Sequence, residues 1–277
     1  MTRESQFYFR QVSSILSFAL AVYGNFRFYL LNSHYGHKYD TPFTSLFVVN
    51  VVFWVIQYLL QLVFVLQYFT KNETTSAQDQ QKIDNIVGHH FVTNNLLNFF
   101  WFWLFKKHHF ILSELLLIAN FLNLLGLYII HKTYSIKNVS NWISVHLSTA
   151  SIPLAWTIYA LFWNGAIVFH SNGKHISLVL RILANVFIWD FLLVPLAFLA
   201  LYNDYGFGFA TSLLMLGVTI DQFFTKIISL QWIFAAIICA VVFLASALGA
   251  SGQVFVKRSG TLANATDREQ APLLSGN

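Results

Sequence analysis

The chain has 277 residues, of which 57% are hydrophobic and 10% are charged, whereas soluble domains carry about 25% charged residues. This composition excludes an ordinary soluble domain and predicts a membrane protein. The formal net charge of +5 would suggest nucleic acid as a partner for a soluble protein. Here the basic residues stand at the ends of apolar segments, so we interpret them as interfacial anchors and expect no nucleic-acid partner.

Apolar runs along the chain predict an all-α, polytopic transmembrane helix bundle, because one span needs about 20 apolar residues. The runs predict about eight spans, over residues 12–31, 46–69, 90–105, 109–130, 147–169, 176–201, 206–223 and 231–250. We expect an N-terminal segment over residues 1–11, a transmembrane domain over residues 12–250 and a disordered cytosolic tail over residues 251–277.

The distribution of positive charge predicts the orientation of the bundle. An even number of spans puts both termini on one side, and that side receives nine Lys and Arg residues against six on the other. Because positive residues are retained in the cytosol, this favours cytosolic termini. Glycosylation sequons at Asn72, Asn138 and Asn264 fall on the same side, so a glycan on any of them would invert the orientation.

Residues 98–105, NFFWFWLF, place six aromatic side chains in eight positions of the third predicted span. One helical face, about 60° wide, carries Asn94, Asn98, Trp101 and Phe105. Two interpretations stay open. The rings either pack against neighbouring helices and lipid, or they line a ligand pocket in which rings stack and amides form hydrogen bonds.

Two further spans carry aromatic and amide residues on one face. In the second span the stripe consists of Trp54, Gln57, Tyr58 and Gln61. In the fifth span it includes Trp156, Tyr159, Trp163 and Asn164. Three such faces predict a shared interior.

These spacings resemble those of a known family. The chain shows Trp54-x-x-x-Tyr58, Asn98-x-x-Trp101-x-x-Leu104-Phe105, Glu114-Leu115-Leu116-Leu117 and Trp156-x-x-Tyr159-Ala160-x-x-x-Asn164, in this order. Over about residues 12–169 the pattern resembles spans one to five of the tryptophan-rich sensory protein (TspO/translocator) family. Residues 176–250 would add about three helices, and the whole chain also resembles an uncharacterised family of fungal multi-spanning membrane proteins.

The TspO resemblance implies a five-helix core that binds a hydrophobic molecule such as a porphyrin, a sterol or another lipid. The residues implied to line that pocket are Trp54, Tyr58, Asn98, Trp101, Trp156, Tyr159 and Asn164. Members of the family close the pocket with a loop rich in Pro and Trp. In this chain the corresponding loop keeps Pro42 and Phe43 and has no Trp.

Ionisable residues inside predicted spans supply a second functional hypothesis, because such residues are costly in a bilayer and mark ion or substrate pathways. They are Glu114, Arg181 and Asp190. Arg181 and Asp190 lie nine positions apart on one predicted helix, on opposite faces, so each needs its own partner. Asp190 is the candidate for a small-solute or proton-coupled transporter, and hydrogen bonding to neighbouring helices is the structural alternative.

The sequence gives no support for catalysis or for a bound cofactor. We find no phosphate-binding loop, nucleophile elbow or paired catalytic carboxylate, so we expect a protein that is not an enzyme. Adjacent histidines, His89-His90 and His108-His109, point about 100° apart on a helix and do not share a metal ion. We therefore expect no metal site and no cofactor.

The C-terminal tail contains Glu269-x-x-x-Leu273-Leu274, which resembles the acidic dileucine signal by which sorting adaptors direct cargo to vacuoles or lysosomes. The alternative is a polar tail without a signal. We predict an integral protein of the endomembrane system, on the vacuolar or ER–Golgi route. Its expected partners are membrane lipid, a hydrophobic small molecule and a sorting adaptor, and the oligomeric state stays open.

Overall fold

The computed structural model describes residues 3–29, 40–67, 77–136, 139–170, 178–228 and 230–252. These residues form helices joined by short turns, and none of them forms a strand. The first four helices are α1 (Arg3–Gly24, continued by a π-helical turn at Asn25–Tyr29), α2 (Phe47–Leu66), α3 (Ala77–Lys106) and α4 (Phe110–Ile129). A bundle of helices satisfies backbone hydrogen bonds within each segment, as a bilayer requires.

After a short 3-10 turn at Thr133–Ser135, one long helical segment contains Val139–Asn141, a π-helical stretch Trp142–Ser151 and α5 (Ile152–His170). The chain continues with α6 (Leu178–Phe187), α7 (Asp190–Tyr202), α8 (Tyr205–Thr225) and α9 (Gln231–Ala250). We call residues 142–151 the π segment.

Six segments of the described residues are long and apolar enough to cross a membrane. They are Phe47–Leu66, Phe110–Ile129, Trp142–Phe169, Arg181–Tyr202, Tyr205–Thr225 and Gln231–Ala250. They are compatible with an integral membrane protein and correspond to six of the eight predicted spans. The first and third predicted spans, in α1 and α3, fall short of this criterion.

Helix α1 and helix α3 nevertheless lie beside the six apolar spans. Phe18 and Asn25 of α1 both contact Tyr58 of α2, the second through a hydrogen bond of 3.0 Å. Helix α3 follows α4 from His90, which contacts Asn123, to Phe105, whose ring packs on Phe110. Contacts with the bundle, including polar ones, thus hold α1 and α3 in place although these helices are less apolar than the six spans.

Small residues bring α8 close to its neighbours. A methyl group at Gly208 would overlap Ser246 Oγ of α9, and one at Gly217 would overlap Ser45 Oγ. The backbone N–H of Leu46 donates to the carbonyl of Gly217 over 3.0 Å. Small side chains permit such close backbone approach between membrane helices, so α8 forms the centre of the C-terminal half.

Two helices differ in detail from the predicted spans. The span predicted over residues 176–201 is matched by the apolar segment Arg181–Tyr202, but its helix is interrupted, because the N–H groups of Trp189, Phe191 and Leu192 bond to carbonyls three residues earlier instead of four. Arg181 and Asp190 therefore do not share one regular helix, and the opposition predicted for them does not apply. Helix α3 begins at Ala77, well before residue 90, where the third predicted span begins.

Several predicted features lie outside the described residues. They are the sequons at Asn72, Asn138 and Asn264 and the sorting signal of Glu269, Leu273 and Leu274.

Candidate functional site

A cavity of about 640 Å³ lies beside α5, between α4 and the broken pair α6–α7. This volume is in the range of small-molecule pockets. The lining residues are Pro42, Phe43, Glu114, Phe121, Leu125, Ile158, Leu161, Phe162, Gly165, Ala166, Phe169, Leu183, Ala184, Phe187, Asp190, Val194 and Phe198. The walls are therefore apolar except at two carboxylates, and we call this space the lateral cavity.

The segment between α1 and α2 closes part of the lateral cavity. Residues 41–45 are buried although they are not helical. The carbonyl of Phe43 accepts a hydrogen bond of 2.9 Å from Tyr159, and that of Thr41 accepts one of 3.0 Å from Gln222. Irregular backbone at membrane depth occurs where it is buried in protein or lines a cavity. Residues 41–45 meet both conditions, because they are buried and because Pro42 and Phe43 line the lateral cavity.

Glu114 is held at the cavity wall by a polar group from α5. Asn164 Nδ2 donates to Glu114 Oε2 over 2.7 Å and to the carbonyl of Phe110 over 3.0 Å. Asn164 Oδ1 accepts in turn from Ser113 over 3.0 Å. Gly165 lies beside this carboxylate, and a methyl group there would make an ordinary contact of 3.4 Å with Glu114 Oε1. The side chain is thus oriented while one oxygen stays free of a described donor.

Asp190 lines the cavity from the opposite wall, at the first position of α7. It lies directly after the break in the helix. Among the described residues no side chain or backbone group pairs with its carboxylate. A half-buried carboxylate without a partner is costly near a membrane interior and marks a functional position.

Glu114 and Asp190 both line the cavity near Phe162. Hydrogen bonds join Ser113 to Asn164 and Asn120 to Thr157, so α4 runs antiparallel to α5 with residue 162 level with residue 115. The ring of Phe162 contacts Phe187 at 6.0 Å and Phe191 at 5.0 Å between centroids. These two residues flank Asp190, so Phe162 links the surroundings of the two carboxylates.

The aromatic residues predicted to form a pocket lie together, but they contact one another. Trp156 packs on Trp54, Tyr159 and Trp101 at centroid distances of 4.7, 5.4 and 6.2 Å, and Trp54 stacks on Tyr58 at 5.2 Å. At most 3% of Trp54, Trp101 and Trp156 is exposed. We call these rings the aromatic core, and their role as ligand contacts stays a prediction.

The remaining predicted residues divide between two places. Asn98 donates to Asn94 Oδ1 over 3.2 Å, and Asn120 donates to the same oxygen over 2.9 Å, so Asn98 belongs to an amide network beside the aromatic core. Asn164 instead joins the wall of the lateral cavity through Glu114. Arg181 is exposed on the surface of α6.

The structure also reveals a buried polar cluster that the sequence patterns did not identify. Asp204 accepts hydrogen bonds from Tyr128, from Ser151 at 2.9 Å and from the N–H of Phe207 at 3.0 Å, and it pairs with His146 at 3.1 Å. The other ring nitrogen of His146 lies 2.8 Å from Thr133 Oγ1. We call these residues the Asp204 cluster.

The Asp204 cluster ties the π segment to the start of α8. Burial raises the pKa of Asp204, but the charge of His146 and the hydrogen bonds that Asp204 accepts outweigh this effect, so its pKa lies below the ordinary 3.8. Asp204 and His146 are fully buried, so a substrate cannot reach them. Two features of the sequence could have identified these residues. Asp204 precedes a helix and is suited to cap it, and His146 directly precedes the predicted fifth span.

No group of three potential metal-ligand side chains occurs in the described part of the chain.

Comparison with known proteins gives one partial match. Residues 181–274 match the model of a family described as "Fungal protein of unknown function (DUF1774)". This similarity covers α7, α8 and α9, including Asp190 and Asp204. No curated protein and no solved structure shows significant similarity to the chain. The comparisons show no similarity to the TspO family, so that resemblance stays a prediction.

Proposed function

We propose that this chain is an integral membrane protein that binds a hydrophobic ligand in the lateral cavity. The observation that carries the proposal is the combination of a cavity of about 640 Å³, apolar walls and two carboxylates in its lining. Ligand sites in proteins have this composition, with few polar groups fixing the orientation of an otherwise apolar molecule.

The lateral cavity supports ligand binding better than the aromatic core does. In the core each ring is covered by other rings, whereas in the cavity Phe121, Leu161 and Val194 face unfilled space. The cavity also extends from Ile158 to Phe169 along α5, which corresponds to about 17 Å of helix. An elongated lipid-like molecule suits this shape better than a wide, flat porphyrin does.

Filling the cavity with a side chain tests the proposal. In Ala166→Phe a ring enters the lateral cavity, whereas in the control Ala240→Phe the same ring is added on the exposed face of α9. Native mass spectrometry of the detergent-purified chain, incubated with cholesterol or stearyl alcohol, measures bound adducts. We expect at least one probe to bind the wild type and the control but not Ala166→Phe. Equal adducts on all three proteins, or none on any, would overturn the proposal.

A second candidate function, small-solute or proton-coupled transport, is favoured by the position of Asp190 beside a helix break. Broken helices in transporters place ion and substrate sites at such breaks. Reconstituted vesicles with a trapped pH-sensitive dye would measure proton flux for the wild type and for Asp190→Asn. Flux that disappears in the variant would favour transport, and flux equal to that of empty vesicles would exclude proton coupling.

We also propose an endomembrane location, on the vacuolar or ER–Golgi route, as the sorting signal at Glu269, Leu273 and Leu274 implies. Fluorescence microscopy of the tagged chain, compared with a Leu273→Ala, Leu274→Ala variant, tests this. Relocation of the variant to the cell surface would support adaptor sorting.

A further inference from the structure

From the charge of the lateral cavity we infer the class of ligand, an inference that rests on the proposed function. We propose that the ligand is an amphiphile with an alkyl chain and a primary ammonium headgroup. The headgroup would lie between Glu114 and Asp190, and the chain would extend along the apolar walls.

The charged groups that line the lateral cavity all carry negative charge when they are ionised. Among the described lining residues the charged groups are Glu114 and Asp190, and none is a Lys, Arg or His. An ionised carboxylate only accepts hydrogen bonds, whereas an ammonium group only donates them, up to three. A carboxylate, phosphate or sulfate headgroup would meet like charge in a site with little water, which is costly.

Neither carboxylate has a cationic partner among the residues that the structure describes. Glu114 accepts a hydrogen bond from the neutral amide of Asn164, and no described residue pairs with Asp190. Buried or half-buried charges are normally paired. A cationic headgroup would supply a partner for these carboxylates, which line the same cavity.

Glu114 lies near one end of its span. It is four residues from the start of α4, so it lies about 6 Å from that helix end. A charged headgroup held at Glu114 stays close to that end of the helix. From there the wall continues through Phe121 and Leu125 on α4 and Phe198 on α7, which offers the alkyl chain about 17 Å of apolar surface along α4.

Asn164 acts as a positioning residue in this arrangement. Its amide holds Glu114 Oε2, so the other carboxylate oxygen is presented to the cavity in a fixed orientation. Fixing an acceptor before the ligand arrives increases affinity, because less side-chain freedom is lost on binding.

The test uses three probes with the same saturated chain and different headgroups: stearylamine, stearyl alcohol and stearate. Native mass spectrometry of the full chain in neutral detergent measures the adducts of each probe at equal concentrations. We expect stearylamine to bind about tenfold more tightly than stearyl alcohol, because one charge-assisted pair contributes enough free energy for such a factor. Stearate should bind more weakly than the alcohol.

Charge-neutral variants connect this preference to the two carboxylates. In Glu114→Gln and Asp190→Asn the preference for stearylamine should fall, and in the double variant it should disappear while stearyl alcohol still binds. Asp221→Asn, which removes a carboxylate that does not line the cavity, should keep the preference.

The outcomes separate this inference from the proposed function. If all three probes bind equally and Ala166→Phe abolishes their binding, the cavity binds hydrophobic ligands but the inferred headgroup is wrong. A preference for stearylamine that survives in the double variant also overturns the inference, since the cation would then bind elsewhere. If no probe binds the wild type better than it binds Ala166→Phe, the proposed function fails as well.

Discussion

The aromatic core and the lateral cavity are neighbouring regions that are both rich in aromatic residues, but the core is packed whereas the cavity is unfilled. In the core, rings from α2, α3 and α5 cover one another, and Trp54 lies 4.7 Å from Trp156 between centroids. In the cavity, Phe121, Phe162 and Phe187 leave a space of about 640 Å³. The polar groups also differ. Amides bond to amides beside the core, whereas the two carboxylates at the cavity have no cationic partner among the described residues.

This difference teaches that an aromatic stripe does not by itself identify a ligand site in a membrane bundle. The stripes on α2, α3 and α5 meet directly, so their surface is used in packing. Helices α4 and α7 contact each other where Tyr128 packs on Phe198 and Tyr202, but the apolar side chains that line the cavity between α4 and α6–α7 leave space. Substitutions can test this difference between a packed core and an unfilled cavity. The expected losses of stability are largest at buried rings and charges and smallest at the lateral cavity.

Truncating the most enclosed ring should have the largest effect. Trp156→Ala removes contacts with Trp54, Trp101 and Tyr159 and should lower the free energy of unfolding by about 4 kcal/mol. The matched control Trp103→Ala, at a ring that is 42% exposed on α3, should change it by less than about 1 kcal/mol. Unfolding in mixed micelles with increasing denaturing detergent measures both. Equal effects of the two substitutions would show that the core is not packed as described.

Removing the charge of Asp204 should have the next largest effect, because the partner His146 stays buried. Asp204→Asn should cost about 3 kcal/mol near neutral pH. The pKa of Asp204 is lowered by folding, so its contribution is fully present above the ordinary value of 3.8 and is lost as the pH falls through the lower pKa of the folded state. Thermal unfolding of wild type and variant should therefore converge in acid. A constant difference across pH would contradict this account of the cluster.

A methyl group at Gly217 should disturb the segment that closes the cavity. It would overlap Ser45 Oγ and lie 3.1 Å from Val49 Cβ, so we expect Gly217→Ala to cost about 2 kcal/mol. Because Phe43 belongs to this segment, binding of stearyl alcohol should weaken as well. Gly165→Ala meets its neighbour at 3.4 Å, an ordinary contact, and serves as the control for stability. Unchanged melting temperature and binding in Gly217→Ala would mean that the closing segment adapts freely.

Adding a ring to the cavity should have the smallest effect on stability. Ala166→Phe should change the free energy of unfolding by less than about 1 kcal/mol, because the ring enters existing space instead of displacing packed atoms. Thermal unfolding without added ligand measures this. A large loss would indicate that the cavity is narrower than it appears in the structure.

Much of the fold follows from the sequence, because long apolar runs and helical stripes are local signals. The runs predicted the six apolar spans, and the stripes predicted that Trp54, Trp101 and Trp156 share an interior. The ligand assignment of these residues is untested. The break beside Asp190 was missed, since it involves a change in hydrogen bonding within a continuous apolar run. The π segment was missed for the same reason.

The location of the cavity was not predictable from the same signals. Glu114 and Asp190 were singled out as intramembrane charges, but their place in one cavity depends on how α4 packs against α5 and how α5 packs against α6–α7. Ser113 of α4 bonds to Asn164 of α5, which is 51 positions away in the chain, and Phe162 of α5 contacts Phe187 and Phe191. A pattern within one helix does not contain such information. The Asp204 cluster likewise joins residues from three segments.

The hydrogen bonds that attach residues 41–46, the segment that closes part of the cavity, can form only in a certain order during biosynthesis. Thr41 and Leu46, near the beginning of the chain, bond to Gln222 and Gly217 of α8, and Phe43 bonds to Tyr159. Chains emerge from the ribosome with their N-terminal part first, so these bonds cannot form until most of the protein has been made. The first two helices are therefore made before residues 41–46 have all their partners. The segment that closes the cavity is fully attached only after α8 has been made.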